Sequence, residues 1–525
     1  MFATKLQVCD AAPGQASFTG PRAAPRRPSR RPSCTPAQRA SAFGINRFGM
    51  ARDCLLYLIA TALVAIVAIS SLRPGPRPSL AMPNKLTPIV HDRAEFKFAE
   101  RRRATASYPP PAPAPIGLLR TAAKSYIPDL SLPTTFETAG KNPCWRDNSG
   151  EARCLPAFFL LGVYQSASHD LYSRLTHHPL VARNPAPSPS FYSEVHPWMD
   201  YMRKLSGATK NAHGTDKFIG ECSAITFHFT WVHQEQFNQG YVKSMGQFWK
   251  ECMGRTDQEK KELPHRECMS RRMPDARAAD LANAKKAGLD EPMLVPQLVR
   301  AVYGDDPSRQ PALIVMLRLP WARMHAAYWN YRQYASRYGA SAAGERSWAN
   351  ESVHAFRRCE RQFSTDDCAL RFESLARDNE EVFYHCDQLI KGMYSVFLPA
   401  WRKEHKRMLF LRTEQYIAET QSTLLRAMEF IGLPPPESEE AWQPLLNAHI
   451  TIHGQRPKEG TPKMEVDTRE QLKAFYRPSL RKLVKQLSDV EDADAWRAWS
   501  GVDDADDDSY SYGTVRMMKE GAAGT

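Results

Sequence analysis

No two of the 11 cysteines stand in a Cys-x-x-Cys pair, so a structural zinc site is not expected. No lysine followed by serine or threonine closes the turn in FFLLGVYQSASHDLYSRL (158–175), although an apolar run meets Gly162 there and a helical segment follows. ATP or GTP hydrolysis of the P-loop kind needs that lysine, and the sequence argues against it. No internal repeat is found, which sets solenoids aside. No Asp-x-Asp follows a core strand closely; Asp305-Asp306 and Asp492-Ala493-Asp494 are the nearest hints of a metal-using glycosyltransferase. No module interleaving basic and aromatic residues is visible, so nucleic acid is not an expected partner despite a formal charge of +13.

What is present divides the 525 residues into unlike stretches. Residues 1–53 are polar, proline-rich and almost free of acids, the composition of a disordered cytosolic tail. An organelle transit peptide is the competing reading of that Ser- and Arg-rich start. CLLYLIATALVAIVAISSL (54–72) then runs without a charge for one bilayer crossing, at about 20 residues per helical span. A cleaved signal peptide has a shorter apolar core and sits at the very start. The expectation is therefore an uncleaved signal anchor, with arginines on the cytosolic side and a single-pass type II topology. Residues 73–143, with PPPAPAP at 109–115, read as an extended stem. A folded part is expected over 144–490, followed by an acidic disordered tail over 491–525.

Eight cysteines lie beyond the apolar segment. In an oxidising lumen, Cys144 with Cys154, Cys252 with Cys268, and Cys359 with Cys368 could close short loops, although sequence leaves the connectivity open. Asn350-Glu351-Ser352 is a glycosylation acceptor triplet, and it has meaning only on the lumenal side. These features agree on a secretory-pathway membrane protein.

Four short apolar runs read as buried strands: AFFLLG (157–162), KFIGEC (217–222), ALIVMLR (312–318) and MLFLRTE (408–414). Helical patterns such as MLVPQLVRAVY (293–303) and STLLRAMEFIG (422–432) separate them, which predicts an α/β fold, a central parallel sheet flanked by helices. The charged stretch 223–292 reads as a helical insertion. Ligands of such sheets gather at the carboxyl ends of the strands, which directs attention to 163–170, 222–226, 318–328 and 414–416. Backbone N–H groups of Ser166, Ala167, Ser168, His169 and Asp170 would point at an anion if that turn opens a helix. An ordinary strand–turn–helix is the plainer alternative.

The wider pattern sharpens this. LPAFFLLGVYQSASHDLYSRLTHHPLV (155–181) resembles the opening of the carbohydrate sulfotransferases, most closely the N-acetylgalactosamine 4-sulfate 6-O-sulfotransferase type, through Asp170-Leu171-Tyr172, Arg174-Leu175 and His178-Pro179. ALIVMLRLPWARMHAAYWNY (312–331) is similar to that family's 3′-phosphate element, with Arg318, Pro320, Arg323 and Tyr328 in place. QLIKGMYSVFLPAWRKEHKRMLFLRTEQY (388–416), QRPKEGTPKM (455–464) and AFYRPSLRKL (474–483) follow in the family's order. The resemblance implies a P-loop-like sulfotransferase fold behind a single transmembrane helix. It also implies a Golgi membrane enzyme that moves a sulfuryl group from 3′-phosphoadenosine 5′-phosphosulfate (PAPS) to a glycan hydroxyl, without a metal. Arg318 would pair with the donor's 3′-phosphate, and Arg456 and Lys458 would close over it. Glu194 would be the catalytic base, with His196 second, in Ser193-Glu194-Val195-His196.

The departures from the family touch both phosphate ends of the donor. Its lysine is replaced by Gln165, its glycine by Ala167, its two threonines by Ser168 and His169, and its 3′-phosphate serine by Ala326. Glutamine donates a hydrogen bond but carries no charge. Three function classes therefore stand: a working or impaired sulfotransferase, a non-catalytic sulfotransferase-like protein that binds glycan or nucleotide, and a lumenal glycosyltransferase.

Overall fold

The computed structural model describes residues 113–499 except 185, 187, 195, 231–233, 241, 244–257, 259–277, 362–363, 372–385 and 449–460. The cytosolic tail, the apolar stretch 54–72, most of the expected stem, Cys252, Cys268, Arg456, Lys458 and the end of the acidic tail lie outside those residues. Among the described residues no helix is long and apolar enough to cross a membrane.

The chain enters through helix α1 (Ile116–Tyr126) and a two-stranded antiparallel ribbon, β1 (Cys144–Arg146) with β2 (Ala152–Cys154). A five-stranded parallel sheet follows, built from β3 (Phe158–Gly162), β4 (Val181–Ala182), β5 (Phe218–Cys222), β6 (Ala312–Leu317) and β7 (Met408–Arg412). Its spatial order is β4-β5-β3-β6-β7, and each neighbouring pair runs parallel. Every residue of β3, β5 and β6 is buried. That burial explains why these strands read as unbroken apolar runs rather than alternating ones. Along β3, Phe159 and Leu161 enter one apolar cluster while Phe158 and Leu160 enter the other, so the strand is packed on both faces. Burying each such side chain is worth about 1.5–3 kcal/mol, which makes β3 the spine of the fold.

The order has a consequence for function. From β3 the chain goes to one side, to β4 and β5, and then crosses to the other side for β6 and β7. Ligands of such sheets bind beyond the carboxyl end of the strand where the order reverses, which here directs attention to residues 163–167. Helix α2 (Ser168–Leu175) leaves that point and packs Leu171, Tyr172 and Leu175 with Leu424, Ala427 and Met428 of α8 (Thr420–Ile431). The opposite face carries α3 (Trp198–Ala212), α4 (Val295–Tyr303), α5 (Pro320–Asn330), α6 (Ala342–Glu360), α7 (Tyr394–Glu404) and α9 (Val466–Gln486).

The folded part is longer than 144–490. Leu119, Ala122 and Ala123 of α1 are fully buried, and Arg120 Nε donates to Ala301 O of α4 at 3.1 Å, so the end of the presumed stem belongs to the core. Proline-rich composition up to residue 115 hid a short amphipathic helix. At the other end Trp496 and Trp499 are buried and pack edge to face. The described parts of 223–292 include a 3-10 turn, Glu235–Phe237, and a helix over 278–286. Two expected disulfides are formed, Cys144–Cys154 and Cys359–Cys368. Asn350 stands mid-helix in α6 rather than on a loop, and Ser352 is buried with its hydroxyl donating to Trp348 O at 2.8 Å.

Candidate active site

The turn after β3 is held from three strand ends. Val163 N–H donates to Met316 O of β6 at 2.8 Å. Thr413 Oγ1, just past β7, bonds to both Ser166 O and Leu317 O at 3.0 Å. On the third side the turn after β5 presses against Gly162. A Cβ there would lie 2.0 Å from Ala224 O, so only glycine fits. Phe227 N–H donates back to Leu161 O at 2.9 Å.

Two residues of the turn, Gln165 and Ala167, sit at positive φ, 65° and 59°. Ala167 is the N-cap of α2 in a left-handed conformation, and Leu171 N–H bonds to its carbonyl at 3.1 Å. The N–H groups ahead of that first helical bond are the ones a helix start leaves for an anion. Ser166 is fully buried, and its Oγ has no hydrogen-bond partner among the described residues. A buried hydroxyl of that kind costs stability unless a ligand or a water satisfies it, so Ser166 has a donor to offer a group bound in the turn.

Arg318, the first residue after β6, faces this turn: its Nη1 donates to Gln165 O at 3.0 Å. Its own carbonyl accepts from Tyr394 Oη at 2.7 Å, which fixes the backbone there. Among the described residues one donor of its five is seen in a hydrogen bond, which leaves capacity for an anion. Glu414 stands close by but offsets little of the guanidinium's charge. This carboxyl is buried, accepts from Leu319 N–H at 2.9 Å, and burial pushes its pKa up, toward the neutral form.

Gln165 itself is occupied: its Oε1 accepts from Asn330 Nδ2 at 2.5 Å. Tyr164, one residue earlier, stacks on Tyr331 at 5.9 Å. Ser168 is buried with its hydroxyl against the Cys222 thiol, whose pKa burial drives well up. Asp170 pairs with Arg174 at 2.8 Å and accepts from Tyr416 Oη, so it anchors α2 to the chain beyond β7. His169 is partly exposed on the first turn of α2, and Ala326 is buried in α5. Arg323, expected beside Arg318, is fully buried and bound to Gln388 in the core.

The expected base lines a separate cavity. Glu194 Oε2 is 2.9 Å from His196 Nε2, and both line a cavity of about 320 Å³ with Tyr126, Asp129, Phe191 and Gln236. Residues 163–170 do not line that cavity. A polar chain nonetheless ties this segment to the sheet. Glu194 N–H donates to Ser190 O at 2.9 Å, Ser190 N–H to Ser223 Oγ at 3.1 Å, and Ser223 Oγ to Glu221 Oε1 at 2.7 Å. Glu221 is fully buried at the end of β5, also accepts from Tyr201 Oη at 2.8 Å, and burial raises its pKa to about 7.

The acids weighed as a metal motif are engaged elsewhere. Asp305 pairs with Arg300 at 2.8 Å, Asp306 accepts from Ser308, and Asp492 and Asp494 pair with Arg426 and Arg497. Among the described residues no group of three metal-ligating side chains occurs.

Sequence reasoning missed Asn330, Thr413 and Lys391. Asn330 stands inside the quoted 312–331 stretch and Thr413 directly after an expected strand, so position alone could have flagged both. Lys391 also stands inside such a stretch, 388–416, but nothing in its spacing ties it to the turn after β3.

No family model matches the chain. Human carbohydrate sulfotransferase 15 is 25% identical over 350 residues, covering 66% of this chain and 55% of the relative. The mouse protein of the same name is 24% identical over 351 residues with the same coverage, so the chain spans about half the length of the curated relatives it matches. A sulfotransferase from Alicyclobacillus acidocaldarius aligns over 65% of this chain and 99% of that one, at 14% identity and a TM-score of 0.32. By sequence, the chain is a relative of the carbohydrate sulfotransferases.

Proposed function

We propose that the protein is a membrane-anchored sulfotransferase of the Golgi lumen that moves a sulfuryl group from PAPS to a hydroxyl of a glycan. The observation that carries this reading is the turn 163–167 at the sheet's point of reversal, with a buried unpartnered Ser166 hydroxyl and Arg318 turned into it. Sulfuryl transfer builds charge on oxygens around sulfur, so catalysis is positioning plus electrostatic stabilisation. The N–H groups at the start of α2 and Ser166 Oγ would take the donor's 5′-phosphate. Arg318, a planar bidentate donor, would take its 3′-phosphate. Glu194, oriented by His196, would accept the proton of the sugar hydroxyl, and the cavity beside it would seat the sugar.

The second reading, a non-catalytic binding protein, draws on the turn's own bonding. Gln165 is uncharged and already bound to Asn330 and Arg318. Full-length protein, labelled PAPS and a panel of glycosaminoglycans separate the two. The enzyme transfers label, and Arg318→Ala weakens donor affinity by about 10- to 100-fold, the worth of a charge-assisted hydrogen bond of roughly 1.5–3 kcal/mol. Donor binding without transfer to any acceptor would favour the binding protein. Absence of both would end the sulfotransferase reading.

A further inference from the structure

We infer that Lys391 supplies the positive charge that position 165 of the turn lacks, an inference that rests on the sulfotransferase reading above. Lys391 lies in a turn just before α7, more than 200 residues from the loop it would serve. Three contacts bring it there. Its Nζ stands 5.7 Å above the ring of Tyr164, the residue before Gln165. Gly392 is wedged in place: a Cβ would lie 2.8 Å from Tyr476 Cε1 and 2.9 Å from Pro320 Cβ, two residues past Arg318. Tyr394 Oη holds Arg318 O at 2.7 Å. The segment 391–394 is thus pressed against the exit of β6 with its lysine turned toward the exit of β3.

The setting makes this charge count. Lys391 is 6% exposed, and Asp387 Oδ2 lies 2.8 Å from its Nζ. An ammonium taken out of water costs more than a packed apolar side chain unless it is paired, and the pair roughly restores the balance. Packing alone would be served better by leucine, so a stability role accounts poorly for a lysine here. Little water screens it, so what it can offer a second anion is set by Asp387 rather than by solvent. The Tyr164 ring that Lys391 faces is itself stacked on Tyr331, which holds it in place.

In the transfer, the bond between sulfur and the bridging oxygen of the 5′-phosphate breaks, and its electron pair stays on that oxygen. A new bond joins sulfur to the acceptor oxygen, whose proton passes to Glu194. No oxidant or reductant is needed. The charge that develops on the departing phosphate is what Lys391, shared between Asp387 and that phosphate, would balance.

Binding of 3′-phosphoadenosine 5′-phosphate and of adenosine 3′-phosphate to full-length protein tests the assignment by calorimetry. Lys391→Gln is expected to weaken the bisphosphate about tenfold and to leave adenosine 3′-phosphate unchanged. Lys391→Arg is expected to retain most of the affinity, and Gln165→Lys added to Lys391→Gln to restore it. A purely structural lysine would weaken both ligands alike or neither, and either result overturns the inference. A measurement on the wild type needs no variant: the bisphosphate should slow modification of Lys391 by an amine-directed reagent, and adenosine 3′-phosphate should not. Equal rates with both ligands would overturn the inference while leaving the sulfotransferase reading intact. Wild-type protein that binds neither ligand overturns both.

Discussion

Ala167 shows how one side chain can tax a site. Its φ of 59° is a conformation in which an L residue pays roughly 1–2 kcal/mol, whereas glycine does not. Ala167→Gly is therefore expected to raise unfolding stability by about 1 kcal/mol in a urea titration, less the extra freedom glycine gives the unfolded chain. A fall in stability would mean that the methyl packs usefully. Glu221 makes a pH-dependent contribution of known sign. Burial raises its pKa from 4.5 to about 7 in the folded protein, so between those values the folded chain keeps a proton that the unfolded chain releases. Its share of stability is complete below about pH 4.5, is lost as pH rises toward 7, and is constant above. The loss is roughly 3 kcal/mol by linkage, and Glu221→Gln should flatten that part of the stability profile. At this scale the sequence revealed the turn and Arg318, because strand ends mark them. It could not reveal that Ser168 would face Cys222, that Asp170 would brace α2, or that Lys391 would arrive beside Tyr164. Those contacts depend on packing between residues far apart in the chain.

At the scale of elements, the joint between β3 and its turn is the most constrained place in the sheet. Gly162 has a φ of 118°, and any side chain there would collide with the backbone of Ala224. Gly162→Ala must move either the turn after β3 or the turn after β5, and the second of these carries Ser223 and the link to Glu194. The expected outcome is a loss of about 3 kcal/mol or more in stability, the range of overpacking plus backbone strain, together with loss of donor binding. Retained donor affinity with a modest stability loss would show that the two turns are not rigidly joined. Four of the five sheet strands were legible because both faces of the sheet are covered, which leaves runs of Phe, Leu, Ile and Val without alternation. β4 was not, since two residues at the sheet's edge carry no period. Helix α1 was missed for a different reason: its amphipathic face is only a few residues wide and follows a proline run. Short Cys–Cys spacing pointed to the two disulfides, and the fold confirms the pairing by placing each pair side by side.

At the scale of the whole molecule, the question is where the folded part works. The proposed function has the chain cross a membrane once at 54–72 and fold in an oxidising lumen, a placement with which the two closed disulfides agree. A cytosolic domain of this composition would keep Cys144, Cys154, Cys359 and Cys368 reduced. Removing the covalent closure of loops of about 10 residues would cost the domain roughly 2–3 kcal/mol at each pair. The alternative reading of the start, an organelle transit peptide, sends the same domain to a compartment without glycan acceptors. Microsomes from cells expressing the full chain with tags at both ends distinguish the two. Under the anchored reading the protein resists carbonate extraction, protease removes the N-terminal tag from intact vesicles, and the C-terminal tag is protected until detergent is added. Alkylation without reductant should then leave Cys144, Cys154, Cys359 and Cys368 unlabelled. Extraction into the soluble fraction, a processed N-terminus near residue 53, or free thiols at those four positions would instead place the domain away from the lumen. The turn after β3, if it takes the proposed donor, would then have to serve an acceptor other than a secreted glycan.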